Sequence, residues 1–513
     1  MNKINITTNG VLKLLQNINI NKATGPDGIP GRLLKICAEE LASVFRLLFQ
    51  ASLDQGELPK DWKMASVVPL FKKGDKTKAE NYRPVSLTSI SCKLLEHIVH
   101  SNIMDHLDKF NLLNDCQHGF RQKRSCVTQL IATLDDFSNC LNNRGQIDAI
   151  LLDFSKAFDK VDHEGLLLKL EQLGICKSLL SWSRSFLSGR YQKVIVEGFE
   201  SNSNPVLSGV PQGTVLGPLF FLIYINDITD NLSPGTIIRL FADDSLLYRE
   251  IKSKEDVFIL QRDLDTLQKW EVTWKMEFHP DKCKLLRITN KIRPIVSQNE
   301  IHTVNLEETS AAKYLGVTVD GKLKWKEHYN AVCKKANKIL AFLKRNISNC
   351  PTKGKSKCVT TMVRPILEYG SPVWDPHQQV DIENLEKIQK RAGRFCTGNY
   401  KLETGNTKIN MQKLNWKPLE ERRAHTKINI IFKARKGLMD VNVNHLAVNN
   451  SGTRRGGRAY AIPQSNVNSH LYSFFPNSLR LWNTLPDAAK NSSNIESFKK
   501  IVDNITLRSA YTD

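Results

Sequence analysis

Leu240-Phe241-Ala242-Asp243-Asp244-Ser245-Leu246-Leu247-Tyr248 sets two adjacent carboxylates between apolar, strand-like runs. Ile237, Ile238, Leu240 and Phe241 lead in and Leu246, Leu247 and Tyr248 lead out, so the pattern predicts a β-hairpin with the aspartates at its tip. Tight two-residue hairpins favour Asn-Gly or Asp-Gly, whose residues tolerate positive φ, and Asp-Asp does not fit that preference. Broken local rules concentrate at functional sites, and two like charges held together are tolerated where a divalent cation neutralises them. A solvated turn is the alternative reading of the same residues.

Upstream of the hairpin, Gly209-Val210-Pro211-Gln212-Gly213-Thr214 opens an apolar helix over Val215–Ile225. Pro and Gly on either side of Gln212 fix the backbone and let a ligand come close. Ile147–Leu152 predicts a strand ending on Asp153, followed by Phe154-Ser155-Lys156-Ala157-Phe158-Asp159-Lys160-Val161-Asp162-His163. A carboxylate at the end of a buried strand suits a metal ligand, and a helix N-cap equally. Gln117-His118-Gly119-Phe120-Arg121 lies in a turn-rich setting, where a lone His is more often structural than catalytic.

Earlier still, Ala65–Phe71 and Tyr82–Leu87 read as two short strands around Lys72-Lys73-Gly74-Asp75-Lys76. Such a flap can cover a phosphate-bearing ligand, and a solvated basic loop is the plain alternative. Lys22–Pro30 is a turn cluster before an amphipathic helix with Leu33, Leu34, Cys37, Leu41, Val44, Phe45 and Leu48. Helices are predicted over Leu94–Leu107, Cys126–Leu141 and Val257–Trp270, a strand over Lys284–Ile288, and a further hairpin from Ile301–Leu306 and Tyr314–Val319.

The 513 residues are enough for two or three domains with real cores. Lys and Arg total 73 against 52 Asp and Glu, a net charge of +21 that points to a polyanionic partner. Between Lys322 and Lys436 there are 26 Lys and Arg against 9 Asp and Glu, so +17 of that charge lies in one C-terminal stretch. Two helices there are basic outside their apolar stripes. One, from Trp325 to Leu343, carries Lys334, Lys335 and Lys338; the other, Asp381–Phe395, carries Lys387, Lys390, Arg391 and Arg394. Such helices suit a phosphate backbone, which is bound by charge with little sequence reading. Asp440–Ser469 is polar and predicts a linker.

The 11 cysteines contain no C-x-x-C pair and no Cys/His spacing of the zinc type, which argues for a reducing compartment without structural zinc. The longest apolar run, Val215–Ile225, is far short of the roughly 20 residues a membrane helix needs. No secretory signal stands at the N-terminus, so an intracellular protein is expected.

If the strand ending on Asp153 neighbours the hairpin carrying Asp243 and Asp244, the acids converge. Convergent carboxylates that hold two magnesium ions are what in-line phosphoryl transfer needs. Six stretches in order, Lys22–Pro30, Tyr82–Leu87, Gln117–Arg121, Asp153–His163, Gly209–Pro218 and Phe241–Asp244, resemble the reverse transcriptase of non-LTR retrotransposons, LINE-type elements of the jockey group. The resemblance extends through Tyr314–Val317, Arg364–Gly370 and Leu481–Pro486. Each motif alone is weak, and the order carries the resemblance.

That resemblance implies an α+β, right-hand polymerase with a helical basic C-terminal region. Its parts would be fingers over 1–145, palm over 146–320, thumb over 321–439, a linker over 440–470 and a small helical region over 471–513. Asp153, Asp243 and Asp244 match the metal-binding carboxylates, joined by the Phe154 carbonyl. Phe158 matches the aromatic gate against a ribose 2′-OH, and Gln212 the residue packed near the incoming nucleotide. Lys72, with Lys73 as alternative, and Arg83 match the cations on the triphosphate. Lys282 matches the proton donor to pyrophosphate, and the basic helices match the duplex-gripping thumb. Expected cofactors are two Mg2+, with Mn2+ as alternative. Expected partners are an RNA template, a DNA primer and product, and dNTPs, with no membrane and no zinc. The resemblance leaves the oligomeric state open and implies a ribonucleoprotein in nucleus, cytoplasm or both. Relatives usually carry an endonuclease before the first motif, so a truncated copy or partial gene product is expected, and a catalytically inactive nucleic-acid-binding remnant is the rival reading. A group II intron maturase is disfavoured by the Trp482-Asn483-Thr484-Leu485-Pro486 pattern.

Overall fold

The computed structural model describes residues 1–401, 405–447, 459–505 and 507. Fourteen strands occur among them: β1 (Met64–Phe71), β2 (Tyr82–Leu87), β3 (Gln146–Asp153), β4 (Arg190–Val196), β5 (Phe199–Glu200), β6 (Asn204–Val206), β7 (Thr236–Phe241), β8 (Asp244–Glu250), β9 (Lys284–Thr289), β10 (Glu300–Ile301), β11 (Val304–Asn305), β12 (Glu307–Thr309), β13 (Ala311–Tyr314) and β14 (Val317–Asp320).

The run that sequence marks as apolar, β3, is the middle strand of a five-stranded sheet ordered β12-β9-β3-β8-β7. It runs antiparallel to both β8 and β9. Strand side chains alternate between faces, and here the alternation sorts residues into two cores. Ile150 and Leu152 with Leu247 and Leu285 belong to a core shared with the N-terminal half. Ile147 and Ala149 with Leu246, Tyr248, Leu286 and Ile288 belong to a second core built with the C-terminal helices. A strand covered on both faces must be apolar throughout, which is why β3 lacks the apolar-polar alternation of a half-exposed strand. Its one buried acid, Asp148, receives Ser297 Oγ at 2.5 Å and Arg287 Nε at 3.2 Å.

The N-terminal sheet has the order β2-β1-β4-β5, with β6 also on β4. β1 and β2 form the expected antiparallel flap, with Leu70 opposite Arg83. β1 is parallel to β4, so residues 190–206 cross the boundary expected at 145 and complete the sheet begun by 64–87. Parallel pairing across more than a hundred residues leaves no local sequence signature.

The hairpin expected from Ile301–Leu306 and Tyr314–Val319 does not form. β10 instead pairs with β11, β13 pairs with β14, and β12 adds to the central sheet beside β9. The two tight turns between them use His302, Thr303, Leu315 and Gly316 at positive φ, three of them residue types that do not announce a turn.

Residues 471–505 are not a separate appendage. Trp482 and Phe498 stack at 5.8 Å, Phe498 stacks on Phe432 at 4.3 Å, and all three are buried in the second core. Within the expected linker, 448–458 lie outside the described residues, while the described flanks are docked. His445 Nε2 lies 2.9 Å from Asp135 Oδ2, and Asn466 N donates to Asn142 Oδ1 at 2.6 Å. No helix among the described residues is long and apolar enough to cross a membrane.

Candidate active site

β7 and β8 form the hairpin that the apolar runs predict, with Phe241 opposite Asp244. The two loop residues are therefore Ala242 and Asp243, one position earlier than the Asp-Asp reading, and Asp244 opens β8. Ala242 takes the positive φ, +54°, that this turn demands. Across the sheet Asp153 pairs with Asp244, so both side chains lie on the face turned towards the C-terminal helices, with Asp243 one residue away. Burial raises the Asp244 pKa, and repulsion from Asp243 and Asp153 raises it further while Lys72 opposes. Three acids and a distant-sequence lysine thus share one electrostatic field.

The end of β3 is fixed by the turn that follows Phe278: His279 N donates to the Asp153 carbonyl at 2.7 Å. That turn carries Lys282, whose Nζ lies 3.4 Å from Asp153 Oδ2. The Phe154 ring stacks on Phe278 at 4.5 Å and anchors the same strand end. Among the described residues no three His, Cys, Asp or Glu side chains form a ready-made metal cage. The donor set here is all oxygen and its acids repel one another, which fits Mg2+ or Mn2+ held by few carboxylates and completed by water and phosphate.

Phe158 and Gln212 arrive from different loops that are bonded together. Val210 N donates to the Phe158 carbonyl at 2.8 Å and Gly209 N to the Val161 carbonyl at 2.9 Å. Gln212 Nε2 reaches Asp159 Oδ1 at 3.2 Å, and the half-buried Phe158 ring stacks on Phe221 at 4.4 Å. The Gln212 carbonyl accepts from Ser86 N at 2.7 Å, which ties this loop to β2 of the N-terminal sheet. Gly213 has φ +112°, and a Cβ there would lie 2.6 Å from the Ser86 carbonyl oxygen, so only glycine fits. Lys72 and Arg83 are exposed: Arg83 pairs with Leu70, and Lys72 follows β1 with its N donating to the Asn81 carbonyl at 2.9 Å, while Lys73 lies in the bend beyond.

The basic helices are Lys326–Asn346 and Gln379–Thr397. They meet where Arg391 Nη1 donates to Asn337 Oδ1 at 3.4 Å. Lys334, Lys338, Lys387 and Lys390 are exposed around this junction. At 100° per residue Lys335 lies about 160° from Asn337, towards the opposite side, and Arg394 is half-buried with its Nε unpaired.

His118 is buried against Thr128 Oγ1 at 3.0 Å, and burial, aided by Arg124, pushes its pKa down to about 4. It is a neutral structural residue. Its neighbour Gln117, to which the sequence pattern assigns no role of its own, touches the β7–β8 turn directly: its Oε1 accepts from Ala242 N at 3.0 Å. The Gly two positions on was the available signal, since glycine marks close backbone approach.

Residues 71–319 match the family described as reverse transcriptase (RNA-dependent DNA polymerase), a span that contains Lys72, Arg83, Asp153, Phe158, Gln212, Asp243, Asp244 and Lys282. The chain is similar to a probable RNA-directed DNA polymerase from transposon BS of Drosophila melanogaster, 29% identical over 75% of this chain and 44% of the relative. It is 28% identical to the RNA-directed DNA polymerase from mobile element jockey of the same fly, over 77% of this chain and again 44% of the relative. The chain therefore spans less than half the length of these relatives. The solved structure of apo telomerase from Candida tropicalis superimposes with a TM-score of 0.41 at 10% identity over 73% of this chain and 66% of that one, too loosely to decide anything by itself.

Proposed function

We propose that this chain is a right-hand polymerase that copies an RNA template into DNA from a primer terminus, a reading supported by the match of residues 71–319 to the reverse transcriptase family and by the likeness to polymerases of non-LTR retrotransposons. The observation that carries the reading is the pairing of Asp153 with Asp244 across β3 and β8, beside Asp243 in the strained turn.

In this reading Asp153, Asp243, Asp244 and the Phe154 carbonyl hold two Mg2+, or Mn2+. Bound ions would lower the pKa of the attacking 3′-hydroxyl and stabilise the leaving pyrophosphate. Lys72 and Arg83 on the flap bind the triphosphate, where forked and point cations both suit phosphate oxygens. Phe158, braced by Phe221, excludes a 2′-hydroxyl, and Gln212, held by Asp159, packs near the incoming nucleotide. Lys282 neutralises Asp153 before substrate arrives and supplies a proton to pyrophosphate afterwards. Lys334, Lys338, Lys387, Lys390 and Arg391 track the template and product duplex, with Lys335 and Arg394 peripheral. Fingers comprise 1–145 with 190–206 added, the palm takes the rest of 146–320, and the thumb extends from 321 through the described C-terminal helices. The working form is a ribonucleoprotein in the nucleus, cytoplasm or both.

Primer extension on an RNA template with dNTPs and Mg2+ tests this. The expected result is a full-length cDNA; a folded protein that binds the primer–template and yields no product overturns the polymerase reading in favour of a binding-only remnant.

A further inference from the structure

We propose that Gln117 is the positioning residue of the catalytic turn, holding Ala242 in its left-handed conformation so that Asp243 is presented towards the metal site. The proposal rests on the polymerase reading for its chemistry and on the following geometry for the hold.

Gln117 is 3% exposed. Its Oε1 accepts two backbone N–H groups, Ala242 at 3.0 Å and Gly119 at 2.7 Å. Around it, Leu240 N donates to the Cys116 carbonyl at 2.9 Å and His118 N donates to the Leu240 carbonyl at 2.8 Å. Residues 116–118 thus act as a short parallel strand on the free edge of β7, ending at the turn. A Cβ on Gly119 would lie 2.5 Å from Ala242 N, so glycine is what permits this approach. The Gln117 backbone is itself held, because Arg124 Nη1 donates to its carbonyl at 2.8 Å.

Two costs are tolerated here. An L-residue at φ +54° is strained, by an amount comparable to the net worth of one buried hydrogen bond. The amide orientation that serves Ala242 and Gly119 also leaves Gln117 Nε2 buried without an acceptor. Strain persists only where the surroundings over-determine it, and among the described residues Gln117 Oε1 is the side-chain atom hydrogen-bonded to the turn from outside the hairpin. Without that bond only the β7–β8 pairing holds Ala242 at its strained φ, so the turn samples negative φ more often, which rotates the Ala242–Asp243 peptide and displaces the Asp243 carboxylate.

The test is Gln117→Met, which keeps size and removes the acceptor, alone and combined with Ala242→Gly. Gln117→Asn, an amide one methylene too short to reach, is made alongside in case Met disturbs folding, which the melting temperature reports. Two quantities are read: Mn2+ affinity of the enzyme without nucleotide, from the EPR signal of free Mn2+, and kcat with KM for primer–template. We expect each single Gln117 variant to weaken Mn2+ binding and lower kcat by about tenfold, the scale of one lost buried hydrogen bond, with KM within about twofold. Ala242→Gly should restore both in the Gln117→Met background, because glycine takes positive φ without strain. Unchanged Mn2+ affinity in folded Gln117 variants, or no recovery with Ala242→Gly, overturns the proposal. A wild type that binds Mn2+ and makes no cDNA overturns the polymerase reading instead, and the Mn2+ affinities of the variants then decide the role of Gln117 on their own.

Discussion

At the scale of single residues the site trades stability for chemistry. Asp244 has a raised pKa through burial and through repulsion from Asp243 and Asp153, so the folded protein binds its proton more tightly than the unfolded chain does. Its contribution to stability is present below the ordinary carboxylate pKa and is lost as pH rises through the raised value. In metal-free buffer the melting temperature of the wild type should therefore fall between mildly acidic and neutral pH more than that of Asp244→Asn. Added Mg2+ should raise the wild-type melting temperature at neutral pH and leave the variant nearly unmoved. Identical pH profiles for the two proteins would remove Asp244 from the cluster. Phe158 makes a separate prediction: its ring stacks on Phe221, so if it is the proposed gate Phe158→Ala opens space for a 2′-hydroxyl while the loop stays held by Val210 and Gly209. Ribonucleotide incorporation relative to deoxynucleotide should rise by at least about tenfold in single-nucleotide extension, and unchanged sugar selection would refute the gate.

At the scale of elements, one buried ionic cluster joins the C-terminal helices. Asp375 receives Lys427 Nζ and Arg423 Nε, the latter at 2.5 Å, and both cationic side chains are fully buried. Burial would push the Asp375 carboxyl up, but Lys427 and Arg423 outweigh it and hold the pKa below the usual range. Asp375→Ala leaves two cations without their anion, and should destabilise by about 3–5 kcal/mol in chemical denaturation. Replacing all three by apolar residues should recover much of that loss. Elements of this kind show what sequence does and does not reveal. β3 was legible as a short continuous apolar run, and the hairpin and the helices at 90–109, 126–142 and 254–274 as apolar segments bounded by turn or cap residues. The Asp375–Arg423–Lys427 cluster was not, because Asp375 lies 48 and 52 residues from its two cations and all three look like surface charges. Nor was the parallel pairing of β1 with β4, or the hold of Gln117 on Ala242, since both depend on contacts between segments that carry no shared local pattern.

At the scale of the molecule, charge and fold divide the work. The acids sit on the sheet, while +17 of the net +21 lies between Lys322 and Lys436, mostly on helices whose apolar stripes fill the second core. Lys334, Lys338, Lys387 and Lys390 are exposed around the Arg391–Asn337 contact, so they can be exchanged for Gln without touching that core. Each duplex phosphate that the protein no longer neutralises lowers the slope of log affinity against log salt by roughly 0.9, so the fourfold variant should lose about three to four units of slope. Lys335→Gln, on the far side of its helix, should change the slope least. An RNA–DNA hybrid titrated by fluorescence anisotropy at several salt concentrations measures both. A fourfold variant with the wild-type slope and an unchanged melting temperature would move the duplex off these helices. The next surface to test would then be the groove of about 850 Å³ at the far end of β9, which Lys291, Lys322, Lys324 and Lys326 line. Thr289, at its rim, pairs with Gln146, so this groove and the three acids lie at opposite ends of β3. The salt slope therefore decides whether the duplex rests on the two basic helices or in that groove.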